Sequence, residues 1–280
     1  FSYSLVMDQP WGVDTLYPNL LTSGYSGTKA VLDSDAFGGI LRYKIAERVS
    51  IFSGIRLQTV KAEAAFPFGG AIGLGGPYSV IAESDDGVGF MAGAAYERPE
   101  IALRIAGSYY SEIKHSHVTQ ETVGLVTTET KTAYSTPQSL MLEFQSGIAE
   151  DTLAFGSIRW VDWSSFAVYP PIFSAGVGAA LVDYAEDWTM YTLGVGRKFS
   201  DCFSLAVLCS YEPATDTTLT TLGPVDGRFS YGIAPAVTLG NTQITLGVTR
   251  VELGRAVNFA GTEFDDGSGI AVGLRVGMSL

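Results

Sequence analysis

The sequence predicts an all-β, antiparallel transmembrane barrel. Three observations predict it: strand-length segments in which apolar residues alternate with small or polar ones, connections that are short at one end and long at the other, and uncharged stretches that fail as membrane helices. Composition agrees. The 280 residues include 33 Gly and 14 Tyr, and only 16% are charged, against about a quarter in a soluble domain. Mean hydropathy is +0.22. Such a chain is too apolar for disorder and too rich in glycine for a helical protein.

Alternation places the strands. In 270–280, Ile270, Val272, Leu274, Val276 and Met278 alternate with Ala271, Gly273, Arg275, Gly277 and Ser279. Phe37, Leu41, Tyr43 and Ile45 oppose Gly38, Ile40, Arg42 and Lys44, and Ile101, Leu103 and Ile105 oppose Ala102, Arg104 and Ala106. A period of two is the signature of a strand with one face in an apolar medium. The expected strands lie near 1–8, 34–45, 49–62, 88–97, 101–113, 138–148, 152–163, 187–199, 203–212, 229–239, 242–252 and 269–280. Short turns fall around 46–48, 98–100, 150–151, 200–201 and 240–241. Long loops cover roughly 12–33, 63–88, 114–136, 166–186, 213–227 and 253–268. An even strand count with short turns at one end and long loops at the other is the membrane-barrel pattern. A soluble sandwich would have strands of about five or six residues. Aromatic residues near strand ends (Trp160, Trp163, Tyr191, Tyr211) also favour the membrane. Residues 1–280 read as one domain without a linker.

Other classes are excluded in turn. The stretches 64–82, 164–182 and 229–249 lack charge but are broken by Gly, Pro or alternating polar residues; a spanning helix needs about 20 predominantly apolar residues. If the chain enters a membrane, only a barrel remains. A net charge of −12 repels nucleic acid. Cys202 and Cys209 fall on opposite faces of one strand and cannot pair. Residues 1–8 lack the basic start and small-residue cleavage site of a signal peptide.

Catalytic chemistry is sparse, and neither enzyme activity nor a cofactor is expected. No nucleophile motif is present. His115 and His117 share a strand face, but no third metal ligand is evident nearby, so they are expected to sit in solvent at a loop base. The sequences at 84–87 (SDDG) and 264–267 (FDDG) lack the remaining spacing of a calcium loop and read as turns.

Three segments carry a family resemblance: MDQPWGVDTLYP near the start, STPQSLMLEFQSGIAEDTLAFGSIRWVDWSSF in the middle and DDGSGIAVGLRVGMSL at the end. With the strand order they resemble the FadL/TodX family of outer-membrane transporters for long-chain fatty acids and aromatic hydrocarbons. The resemblance implies a fourteen-stranded barrel with an N-terminal plug. Twelve strands are visible here; the plug and two strands would precede Phe1. It also implies a passive route across the outer membrane of a Gram-negative bacterium, with bilayer lipid around a monomer and a hydrophobic ligand inside. The alternative function is a diffusion porin for small polar solutes, which would need a strongly polar lumen.

The family opens its wall at an inward kink in an early strand. Gln9, Pro10, Trp11 and Gly12 fall where that kink belongs, and Pro and Gly both weaken a ladder. The plainer alternative is that Pro10 ends the strand. Phe66, Phe68, Ile72, Leu74 and Tyr78 crowd one long loop; Ile172, Phe173 and Leu181 crowd another. Such apolar density would serve capture, or would pack the two loops together as a lid. Arg42, Arg56, Arg104, Arg159 and Arg275 fall on the inward side of the ladders, as expected when a lipid-facing charge costs ~2–4 kcal/mol. The resemblance implies basic residues near a ligand head group, for which Arg56, Lys61, Arg104 and Arg159 are candidates.

Overall fold

The computed structural model describes residues 1–19, 24–68, 73–259 and 261–279. Its strands are β1 (Ser2–Asp8), β2 (Gly12–Leu16), β3 (Lys29–Lys44), β4 (Val49–Phe66), β5 (Tyr78–Arg98), β6 (Leu103–Tyr110), β7 (Ile113–Val123), β8 (Val126–Thr136), β9 (Ser139–Ala149) and β10 (Thr152–Val161). The second half contributes β11 (Ala167–Val168), helix α1 (Pro171–Val177), β12 (Val182–Asp183), β13 (Trp188–Ser200), β14 (Phe203–Glu212), β15 (Thr218–Leu219), β16 (Arg228–Leu239), β17 (Thr242–Leu253), β18 (Ala256–Asn258), β19 (Glu263–Phe264) and β20 (Ser268–Met278).

The main sheet runs β1-β3-β4-β5-β6-β9-β10-β13-β14-β16-β17-β20, every neighbour antiparallel. Each of these twelve strands overlaps one of the twelve expected segments. Among the described residues β1 and β20 pair with no further strand at their outer edges. The sheet curls upon itself all the same: Arg159 of β10 reaches Trp11 beyond β1, and the Tyr17 hydroxyl donates to the Thr221 carbonyl at 2.6 Å.

Register turns alternation into two surfaces. Val195, Val207, Ile233, Val248 and Val272 form one lateral row across β13, β14, β16, β17 and β20. Most of that row is exposed, as are Phe203, Val237, Ile244 and Val276 below it. Directly paired residues share a face, so the apolar face of the sheet points outward. The aromatic row Tyr191, Tyr211 and Phe229 stands at the long-loop end, with Phe199 at the other end of β13. An exposed apolar band flanked by aromatics matches the lipid face of a barrel. Among the described residues no helix is long and apolar enough to cross a membrane. Close strand packing explains one glycine: a Cβ on Gly54 would stand 2.3 Å from the Gly39 carbonyl oxygen.

The long-loop end is more ordered than the sequence implied. β3, β4 and β5 continue well past the expected ends, so Phe66 and Tyr78 are strand residues. The segment 114–136, expected as a loop, is the hairpin β7/β8, and β7 pairs with the far end of β5. Its inward residues, Ile113, His115, His117, Thr119 and Glu121, alternate regularly but are mostly polar, so hydrophobic periodicity gave no strand signal. Gly124 makes the turn at φ 61°. Residues 84–87 lie inside β5 rather than in a turn. These extensions enclose a core of Ala30, Ala64, Phe66, Tyr78, Val80, Phe173 and Leu222.

Candidate functional site

Ladder geometry makes the first feature. β1 and β2 pair with the same side of β3, Asp8 opposite Ala36 and Gly12 opposite Asp33. Residues 9–11 therefore face only two residues of β3, and the ladder breaks. Proline offers no N–H to restore it. Ser34 bridges the break: its Oγ accepts from Trp11 N at 2.9 Å and donates to the Trp11 carbonyl at 2.6 Å. Gln9 donates to Asp35 at 3.1 Å. Just below, Arg56 holds Asp8 through both carboxylate oxygens at 2.6 Å.

A cavity of about 430 Å³ lies above the break, between the long-loop extensions. Its wall is mainly apolar and aromatic: Val31, Val60, Val80, Val161, Phe166, Leu181, Trp11, Trp163, Tyr184 and Trp188. Trp163 is the hub of this wall, 5.2 Å from Trp11, 5.4 Å from Phe166, 5.0 Å from Tyr184 and 5.6 Å from Trp188 between ring centroids. Edge-on and tilted pairs at such spacing are favourable. Burial pushes the Tyr184 phenol up to about 12. Among polar lining groups, Glu212 is buried and accepts from Arg228 at 3.0 Å.

A second cavity of about 450 Å³ lies on the short-turn side, lined by Asp8, Arg56, Gln58, Tyr110, Ser139, Ser157 and Thr192. Both cavities include Pro10, Trp11, Thr136, Pro137, Arg159 and Met190 in their walls. Arg159 lies over the Trp11 ring at 5.4 Å, so this cation–aromatic pair stands where the cavities meet. The neighbouring carboxylates are engaged elsewhere, Asp8 by Arg56 and Glu212 by Arg228, and Arg159 has no ion pair among the described residues. A third cavity is lined by Met7, Asp8, Gln9, Asp35, Phe37, Leu57, Gln58 and Asp86. It shares Asp8, Gln9 and Gln58 with the second, and Phe37 and Leu57 belong to the outward apolar face.

The expected site residues thus separate. Gln9, Pro10, Trp11, Gly12 and Arg159 converge on these cavities, and Arg56 lines the second. Lys61 is not brought to any of them: it stands at a bulge in the β4–β5 pairing, exposed, 3.3 Å from Asp33. Arg104 is held by Glu97 at 3.6 Å and Glu143 at 3.7 Å, in a network that also contains Arg42. Phe66 and Phe173 pack in the long-loop core at 6.1 Å, Ile172 is half-buried beside them, and Phe68 is exposed. Leu181 lines the cavity wall. Ile72 and Leu280 lie outside the described residues. Trp163, Tyr184 and Trp188 were not anticipated as cavity residues; the aromatic cluster within 160–191 was their only trace in the sequence.

Contrary to expectation, His115 and His117 are buried, at 3% and 1% exposure. A third ligand-capable group, Asp85, lies beside them. It is 30 residues from His115 in sequence, which is why spacing could not reveal it.

No protein-family model matches the chain, and no curated protein matches its sequence. Solved structures do match its fold. A FadL homologue from Pseudomonas aeruginosa superposes with a TM-score of 0.71 at 15% identity, covering 98% of this chain and 73% of that one. The CymD monoaromatic hydrocarbon channel gives 0.62 at 11% identity, covering 99% and 79%. The toluene transporter TbuX of Ralstonia pickettii gives 0.58 at 12%, covering 90% and 72%. The chain therefore has the β-barrel fold of the FadL/TodX channels.

Proposed function

We propose that this chain is a passive outer-membrane channel for hydrophobic small molecules, long-chain fatty acids or related hydrocarbons, in a Gram-negative bacterium. The observation that carries the proposal is that the three cavities share walls, each with the next. An apolar, aromatic-walled space between the long loops adjoins a more polar one at Trp11 and Arg159, and that one adjoins the outward face beside the ladder break at residues 9–11. A hydrophobic ligand captured between the loops gains by leaving water. Exit through the break would deliver it to lipid without crossing the aqueous lumen. Arg159, with no ion pair among the described residues, offers a charge to a ligand carboxylate. Two of the superposable structures are a monoaromatic hydrocarbon channel and a toluene transporter, and this substrate class agrees with the aromatic wall.

The test is to mend the ladder. Replacing residues 9–11 by two threonines would let β1 and β2 run in one register along β3. Heat-modifiable gel migration would check that the barrel still folds. Uptake of a radiolabelled hydrophobic compound should fall at least tenfold relative to the wild type. Undiminished uptake by the mended variant would overturn the lateral route.

A further inference from the structure

We propose that Asp85, His115 and His117 form a binding site for a divalent transition-metal ion of the zinc class. The site arises where β5 changes partners. β5 pairs with β6 from Met91 onward and with β7 up to Ala82, and between these stretches it bulges against β4. At the start of this stretch, on the side away from β4, two imidazoles from β7 take the place of ladder bonds. His117 Nδ1 lies 2.6 Å from the Glu83 carbonyl, and His115 Nδ1 lies 3.1 Å from Asp85 Oδ2. Alternation puts both histidines on one face of β7, and their rings stack at 5.8 Å.

Geometry and charge both favour a cation. One ligand-capable atom from each of the three side chains lies within 4.8 Å of the other two. Bonds of 2.0–2.1 Å in a tetrahedral site put neighbouring ligand atoms about 3.3 Å apart, close to the His115–Asp85 spacing. Two imidazoles and one carboxylate suit zinc and its neighbours, whereas calcium and magnesium prefer all-oxygen shells. Among the described residues the one ion-pair partner of Asp85 is His115 itself. Lys61 pairs with Asp33 and Lys114 with Glu112, so among the described residues no lysine or arginine is ion-paired to Asp85. Glu83 and Asp86 flank it in sequence, and Asp86 is engaged only by the Thr59 hydroxyl among its recorded hydrogen bonds. A divalent ion would supply the missing positive charge. The ion would also touch the cavity wall: His117 lines the cavity and stacks on Tyr134 at 5.2 Å.

The assay uses the full chain refolded in detergent, dialysed against chelator and titrated with zinc chloride by calorimetry. About one ion per chain should bind. Affinity should fall about 100-fold in His115→Ala/His117→Ala, on the scale by which metal sites lose affinity when their surroundings are cut. Should that double variant not fold, Asp85→Asn, nearly the same shape, and His115→Gln read the same quantity. Cobalt substitution should give the visible bands of a four-coordinate site in the wild type and lose them in Asp85→Asn. Absence of zinc binding, or binding unchanged by these substitutions and therefore located on surface carboxylates, would overturn the assignment. The readout is independent of transport, so it stands or falls separately from the channel proposal.

Discussion

Glu121→Gln should loosen the α1 segment from the barrel without unfolding the barrel. Glu121 is wholly buried, on the row of Ala30, Ala64 and Val80 that faces the long-loop core. Its Oε2 accepts from the Tyr78 hydroxyl at 2.8 Å and Phe173 N at 2.9 Å; its Oε1 accepts from the Thr130 hydroxyl at 2.7 Å and Ile172 N at 3.1 Å. Helix α1 has Pro170 as its N-cap and no side-chain cap of its own. Its first N–H groups are orphans, and a carboxylate from β7 satisfies two of them. Glutamine turns one oxygen into an NH₂ donor. A hydroxyl can rotate to accept from it, but a backbone N–H cannot. Either Ile172 N or Phe173 N is then left buried and unpaired, at a cost of about 1–3 kcal/mol. Taking about 2 kcal/mol, the open population of the segment rises roughly 30-fold. Hydrogen exchange read by mass spectrometry on a peptide spanning 170–178 should accelerate by that factor, with strands β13 and β14 unaffected. Unchanged exchange in that peptide, or equal acceleration throughout the barrel, would refute the reasoning.

Two further outcomes follow from the cavity. Arg159→Gln should weaken binding of a fluorescent fatty acid by about 10-fold or more, since a hydrogen bond to a charged group contributes about 1.5–3 kcal/mol, and should leave the corresponding fatty alcohol unaffected; equal losses for both ligands would contradict a head-group role. Tyr184, whose phenol burial raises from an ordinary value of about 10 to about 12, should titrate late. Its folded-state value is the raised one, so its contribution to stability is intact below about pH 10 and is lost as pH rises toward 12. An absorbance titration at 295 nm should show a late step, shared with Tyr17, whose amplitude Tyr184→Phe reduces by one tyrosine.

The barrel was legible because lipid imposes a strict rule on it. Every strand that meets hydrocarbon must present an apolar residue at every second position, and register then lines these up across strands, as in Val195, Val207, Ile233, Val248 and Val272. The long-loop structures obey no such rule. β7 and β8 are covered on one face by the chain itself, and the covered face carries histidines, threonines and a glutamate whose hydrogen bonds replace apolar burial. Alternation persists there in direction but not in polarity, so a hydrophobicity pattern reads a loop. The Thr-rich run of 127–136 beside Gly124 was the available signal, through β-propensity and turn chemistry.

The candidate site divides along the same line. Residues 9–12 were legible because Pro and Gly disturb a ladder wherever it runs. The inward direction of Arg56, Arg104 and Arg159 was legible from parity, but parity cannot tell which cation meets a carboxylate. Arg104 meets Glu143 on the adjacent strand and Arg56 reaches Asp8 two strands away across β3, and both are consumed there. Arg159 differs because its row brings it against Trp11, from the opposite side of the sheet path, where the ladder break turns an aromatic ring inward. A cation facing an aromatic ring rather than a carboxylate keeps its charge available to a ligand. That pairing depends on the curvature of the sheet and on the break together, and so no local stretch of sequence encodes it.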